Sequence, residues 1–152
     1  MYTYDHTQPG TFFRMWPGMP AVGFGIAAVR MLFSGNNDPA AIFAIAATFC
    51  MIIVALFHSL TVKVSSNEIV LAFGIGLIRK HFRTHDIQKV DIVRNRWYHG
   101  WGIKRVRGSW LYNVSGFDAV EIQFSSGRRI RIGTDEPKAL LAAIQSAADT
   151  TC

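Results

Sequence analysis

The stretch RWYHGWGIKRV, residues 96–106, places Arg96, Lys104 and Arg105 among Trp97, Tyr98 and Trp101, around Gly100 and Gly102. Arg94 precedes it and Arg107 follows it. Two chemistries use this combination. Aromatic rings interleaved with guanidinium groups stack on the bases of single-stranded nucleic acid. The same residues rest on a bilayer surface, with cations near anionic headgroups and Trp and Tyr at the interface. A structural role competes with both: the glycines bend the chain while Trp97 and Trp101 pack into a sheet. The five cations are too many to bury, so they stay on the surface in every case.

No other group of residues forms a site. His81 and His85 are four apart, but they fall in a strand and a turn, and no third metal ligand stands near them. Asn113-Val-Ser matches a glycosylation acceptor by chance at a strand end, and Gly23-Phe24-Gly25 lies in an apolar segment as a packing notch. Neither a nucleophile elbow nor a phosphate loop is present. The sequence therefore names no catalytic, cofactor-binding or metal residues, and the reading is of a non-enzyme.

The elements around the basic aromatic stretch follow from composition. The 152 residues carry a net charge of +6, with fourteen Lys/Arg and eight Asp/Glu after residue 57. Residues 12–57 hold only Arg14, Arg30 and Asp38. Cys50 and Cys152 form neither a disulfide framework nor a metal spacing. Residues 40–57 are eighteen positions without a charge, about 27 Å of helix and close to the hydrocarbon thickness. A first segment, residues 16–34, carries Pro17 and Pro20 near its start, where a helix has no N–H bonds to lose. Its Arg30 lies near the other end, where a long side chain reaches the headgroups. SGNNDP joins the two, so residues 16–57 predict a transmembrane hairpin with helices at about 16–34 and 39–57. The turn has no Lys or Arg, which predicts that both termini are cytoplasmic. Residues 1–15 read as a cytoplasmic tail.

After residue 57 the pattern becomes a strand alternation. Strands are predicted at about 60–65, 68–74, 76–83 and 87–95, followed by SWLYNV, AVEIQF and RRIRIG. Matching apolar faces sets Ile122 opposite Ile130, Glu121 opposite Arg131 and Phe124 opposite Arg128, with Ser125-Ser126-Gly127 as the turn. A final helix is capped at Thr134 or Asp135, opens at Pro137 and carries a stripe of Leu140, Leu141, Ile144 and Ala148. Six or seven antiparallel strands and one C-terminal helix predict an α+β domain, a bent antiparallel sheet or small sandwich plugged by the helix.

DIQKVDIVRN, GWGIKRV and GSWLYNVSGFDAVEIQFSSGRRIRIGTDEP resemble the bacterial pleckstrin-homology-like family, membrane-anchored domains of no assigned function. The resemblance covers about residues 58–148. It implies a pleckstrin-homology-like fold and a membrane location, which with the charge bias reads as the bacterial inner membrane, and it supplies no catalytic residues. The sequence thus predicts a membrane-anchored binding or scaffold protein. Its cytoplasmic domain, residues 58–152, contacts a protein partner or the anionic membrane surface. The candidate surface is Arg94, Arg96, Trp97, Tyr98, Trp101, Lys104, Arg105 and Arg107. The rival reading is a regulatory or assembly subunit working through its two helices, by self-association or with a membrane protein. A small membrane enzyme is disfavoured, because Arg30 and His58 alone are too few charged groups near the bilayer. Nucleic acid is disfavoured by the tether.

Overall fold

The computed structural model describes residues 2–97, 100–106 and 108–149. A strand, β1 (Tyr4–Pro9), leads into a short helix, α1 (Thr11–Met15), and then into the hairpin of α2 (Gly18–Phe33) and α3 (Asn37–Phe57). The domain continues with β2 (Ser59–Val64), β3 (Glu68–Phe73) and β4 (Ile78–Arg83). A 3-10 turn at Thr84–Asp86 leads to β5 (Ile87–Arg94), and then come β6 (Gly102–Val106), β7 (Ser109–Asn113), β8 (Asp118–Phe124) and β9 (Arg129–Gly133). Helix α4 (Pro137–Asp149) ends the described chain.

Both hairpin helices are long and apolar enough to cross a membrane: Asn37–Phe57, and Thr11–Phe33 when α1 is counted with α2. Pro17 stands at the break between α1 and α2, and Pro39 lies in the first turn of α3, where its missing N–H costs no bond. The helices meet through small residues. Ala21 and Ala28, seven apart on one face of α2, are buried, as is Ala40 on α3. Phe24 and Phe43 touch beside them at 6.1 Å between ring centroids. The other faces, with Val22, Ile26, Val29, Ile42, Ile45, Phe49 and Ile52, are exposed.

Residues 4–9, expected as part of a tail, are a strand. β1 pairs antiparallel with β2 from Tyr4↔Val64 to Pro9↔Ser59, and the first sheet runs β1-β2-β3-β4. Thr7 and Thr61 share a hydroxyl hydrogen bond across the pair (2.8 Å), and Lys63 meets Asp5 at 2.8 Å. His6 reaches Asp135 ahead of α4 at 2.7 Å. The folded domain therefore starts before the hairpin, and a fragment beginning at residue 58 lacks one edge strand.

The second sheet runs β5-β8-β9-β7-β6. It corrects two expectations. GIKRV, which is not among the expected strands, forms β6 and pairs with β7. The strands are not all antiparallel, since β7 and β9 are parallel. The chain leaves β7, skips one strand position to form β8, and β9 then fills the gap. Being antiparallel to β8, β9 must run with β7. The β8–β9 register agrees with expectation: Ile122↔Ile130, Glu121↔Arg131, and the Phe124 N–H on the Arg128 carbonyl at 2.9 Å. Gly127 takes a φ of +80° in that turn. Gly127→Val should thus destabilise the protein by about 1–2 kcal/mol through left-handed strain, while Ser126→Ala should leave it unchanged. Thermal melts of the two variants in detergent check this, and equal melting temperatures would contradict it.

The two sheets enclose one core, closed at the side by α4. Leu60, Leu71 and Phe73 from the first sheet face Tyr112, Ile122 and Ile132 from the second. Leu140, Ile144 and Ala147 of α4 are buried against them; the stripe turns through Ala147 rather than Ala148. Glu136 donates its N–H to the Thr134 hydroxyl at 3.0 Å, and its own carbonyl accepts the Leu140 N–H at 3.1 Å. Thr134 thus fixes the turn ahead of α4, and Glu136, rather than Thr134 or Asp135, stands at the cap position. On the reverse face of the second sheet, Arg131 pairs with Glu121, and Ser109 donates to the same carboxylate at 3.2 Å. Leu111 and Ala119 are also fully buried, although they alternate with the core residues Tyr112 and Val120. The part of that face around Leu111 and Ala119 is therefore covered too, while Lys89, Asp91 and Arg129 on it are exposed. Asn95 lies over it, with its N–H on the Phe117 carbonyl at 2.6 Å and its side-chain oxygen 3.5 Å from Arg131.

Candidate membrane-facing surface

A helix leaves its last carbonyls without intrahelical partners. In α3 the domain supplies them. The Ala55 carbonyl accepts the Ile75 N–H (3.2 Å) and lies 3.1 Å from His58 Nδ1. The His58 carbonyl accepts the Gly10 N–H (2.7 Å), and the Ser59 carbonyl accepts the Gly74 N–H (2.8 Å). The β3–β4 turn and the end of β1 thus both close on the foot of the hairpin. Gly74 is required there: its φ is +50°, and a Cβ would stand 2.1 Å from the Ala55 carbonyl oxygen.

The aromatic residues of α1 fill the same junction. Phe12 stacks on Trp101 at 3.9 Å and 17°, and Phe13 stacks on Phe57 at 5.0 Å. Phe57 then meets Phe73 of the core at 5.9 Å. Thr11 bonds Ser115 hydroxyl to hydroxyl (2.8 Å), and Gln8 donates to the Ser115 carbonyl (3.0 Å). One end of the domain is therefore assembled from α1, the β3–β4 turn, the β7–β8 loop and the chain around Trp101. The sequence signal for α1 was TFFRMW, which the strand and helix patterns did not single out; the turn itself falls between the strands expected at 68–74 and 76–83.

The strand registers place the expected surface residues against this end. Arg94 lies at the near end of β5, opposite Asp118, with an ion pair of 3.8 Å between exposed side chains. Arg96 and Trp97 follow and are exposed. Trp97 was expected to pack into the sheet, but it is 76% exposed. The chain between β5 and β6 crosses from one edge of the second sheet to the other, and Trp97 lies on the solvent side of that crossing. Trp101 does pack, half-buried between Phe12 and Phe117. Lys104 turns its ammonium back beside Gly100 at the near end of β6. Arg105 is further out, since each strand residue advances the chain by about 3.3 Å. Tyr98 and Arg107 lie outside the described residues. The structure thus separates the stretch into an exposed part, Arg94, Arg96 and Trp97, and a packed part, Trp101.

The remaining candidates stay apart. His81 pairs with Glu68 at 2.9 Å, and His85 lies 3.3 Å from Asp86. Among the described residues no group of three His, Cys, Asp or Glu is placed to hold a metal. A cleft at the far end of the domain is lined by Arg83, Asp86, Ser126 and Arg128. Comparison of the chain with protein-family models, with curated proteins and with solved structures finds no match in any of the three.

Proposed function

We propose that this chain is a non-catalytic binding or scaffold protein of a bacterial cytoplasmic membrane. Helices α2 and α3 anchor it, and a pleckstrin-homology-like domain lies on the cytoplasmic side with the Arg94–Trp97 end against anionic headgroups. The observation that carries this reading is the β1–β2 pair. It joins the residues before the hairpin to those after it, so an α2–α3 pair that crosses a bilayer must return to the side it left. The absence of Lys and Arg from the turn and the many cations after residue 57 support the cytoplasm as that side. A reporter fused at Asn37 is expected outside the cytoplasm and one fused after the C-terminus inside. Both reporters on one side would refute the spanning hairpin.

The lipid contact has its own test. Each cation held near an anionic surface contributes about 1 kcal/mol, and salt screens it over about 8–10 Å. Full-length Arg94→Gln/Arg96→Gln/Lys104→Gln protein in mild detergent should retain less anionic phospholipid than wild type, read by native mass spectrometry, with an unchanged melting temperature. Trp101→Ala should do the reverse, lowering the melting temperature while retaining lipid. Equal lipid retention in wild type and the triple variant would remove the headgroup role. The broad uncovered faces of α2 and α3 favour a second reading, an assembly subunit that binds a membrane protein or itself through the hairpin. Stoichiometric co-purification of such a partner, lost on replacing Ile45 and Phe49, would support it.

A further inference from the structure

We propose that the β3–β4 turn is a membrane contact in its own right, with Ile75 and Leu77 inserted at the boundary between headgroups and acyl chains beside the foot of α3. This rests on the reading that α2 and α3 lie in the bilayer. Turns between strands ordinarily carry polar residues and run through water. This one reads Gly74-Ile75-Gly76-Leu77, and both large side chains point away from the core, 63% and 72% exposed. The next residue, Ile78, packs against the core, so the exposure is confined to the turn.

The position of the turn identifies what covers it. The Ile75 N–H is bonded to the Ala55 carbonyl, two residues short of the end of α3, or about 3 Å along the helix axis. Residues 40–57 of that helix carry no charge, so the turn is fixed alongside its apolar part. Gly74 permits that approach, because any Cβ would meet the helix backbone. Met15 and Trp16 stand exposed at the break between α1 and α2, on the same end of the domain. Arg79 folds back over the turn, with its Nε on the Gly76 carbonyl at 2.8 Å, and sets one cation beside the two aliphatic tips. Apolar tips flanked by a cation match the layering of a bilayer surface, acyl chains below and phosphates above.

The test uses the full chain with Cys50→Ala and Cys152→Ser, reconstituted in liposomes of phosphatidylglycerol and phosphatidylethanolamine without other proteins. Single cysteines at Ile75, Leu77, Ser126 and Ile26 carry a polarity-sensitive fluorophore, and lipids brominated at shallow or deep acyl positions act as quenchers. The expected result is a blue shift and quenching by shallow bromines at Ile75 and Leu77, none at Ser126, and quenching by deep bromines at Ile26. If Ile26 is quenched while Ile75 and Leu77 behave like Ser126, the turn lies in water and the proposal is overturned although the hairpin stands. If Ile26 is not quenched, the hairpin reading falls and the proposal with it.

Discussion

Gly74→Val is expected to be among the most damaging single changes in this protein. The added Cβ overlaps the Ala55 carbonyl oxygen and the Leu56 backbone, and no side-chain rotation relieves contact with backbone. The positive φ adds left-handed strain of about 1–2 kcal/mol, and overpacking adds about 1–3 kcal/mol more. A loss of about 2–5 kcal/mol should follow, visible as a lower melting temperature in detergent. Opening of the junction should also raise proteolysis near His58. Gly23→Ala on α2 is the control, because a Cβ there meets nothing within 4 Å. If both variants melt alike, the close approach of the turn to α3 is misplaced.

Phe124→Ala should cost about 3–5 kcal/mol, the range for a buried aromatic truncated to alanine. Phe124 is 5% exposed and stacks on Phe82 at 5.9 Å; Phe82 in turn meets Tyr112 at 5.9 Å. Truncation leaves a cavity between the two sheets, where both backbones are held by strand pairing and little collapse is available. Urea titration of the reconstituted protein reads the loss, and a shift under about 1 kcal/mol would mean that the site repacks.

Much of the β8–β9 hairpin was legible because its information is local. Ile122 and Ile130 alternate with polar or charged neighbours, Glu121 meets Arg131, and Gly127 marks the turn. The apolar run of α3 was legible for the same reason. The order of strands was not, since alternation fixes which face a strand buries and not which strand lies beside it. The parallel β7–β9 contact is a consequence of order. β1 was missed because YDHTQP carries no apolar alternation. Its place follows from the free edge of β2, which residues 58–152 alone do not reveal. At the candidate surface two readings of the tryptophans were open, and Trp101 packs as the structural one expected. Trp97 departs from the packing reading and is exposed, because the number of apolar partners available to a tryptophan depends on which edge of the sheet its loop crosses.

The pairing of β1 with β2 also sets an order of events during synthesis. These two strands are neighbours in the sheet, yet the whole hairpin lies between them, so in effect two helices form the loop of a β-hairpin. β1 is made first and has no partner until α3 has been translated and β2 has emerged beyond it. The entropy of closing so long a loop grows only slowly with its length, but if α2 and α3 cross a bilayer, a chain whose second helix failed to return would hold β1 and β2 on opposite sides of it. Leu60, Val62 and Val64 would then lie on an uncovered edge strand, a surface prone to pairing with other chains. On the proposed reading that α2 and α3 span a bilayer, completion of the first sheet would serve as a check on insertion: only a chain with the correct topology could finish folding, and a misinserted one would be left recognisable to proteolysis.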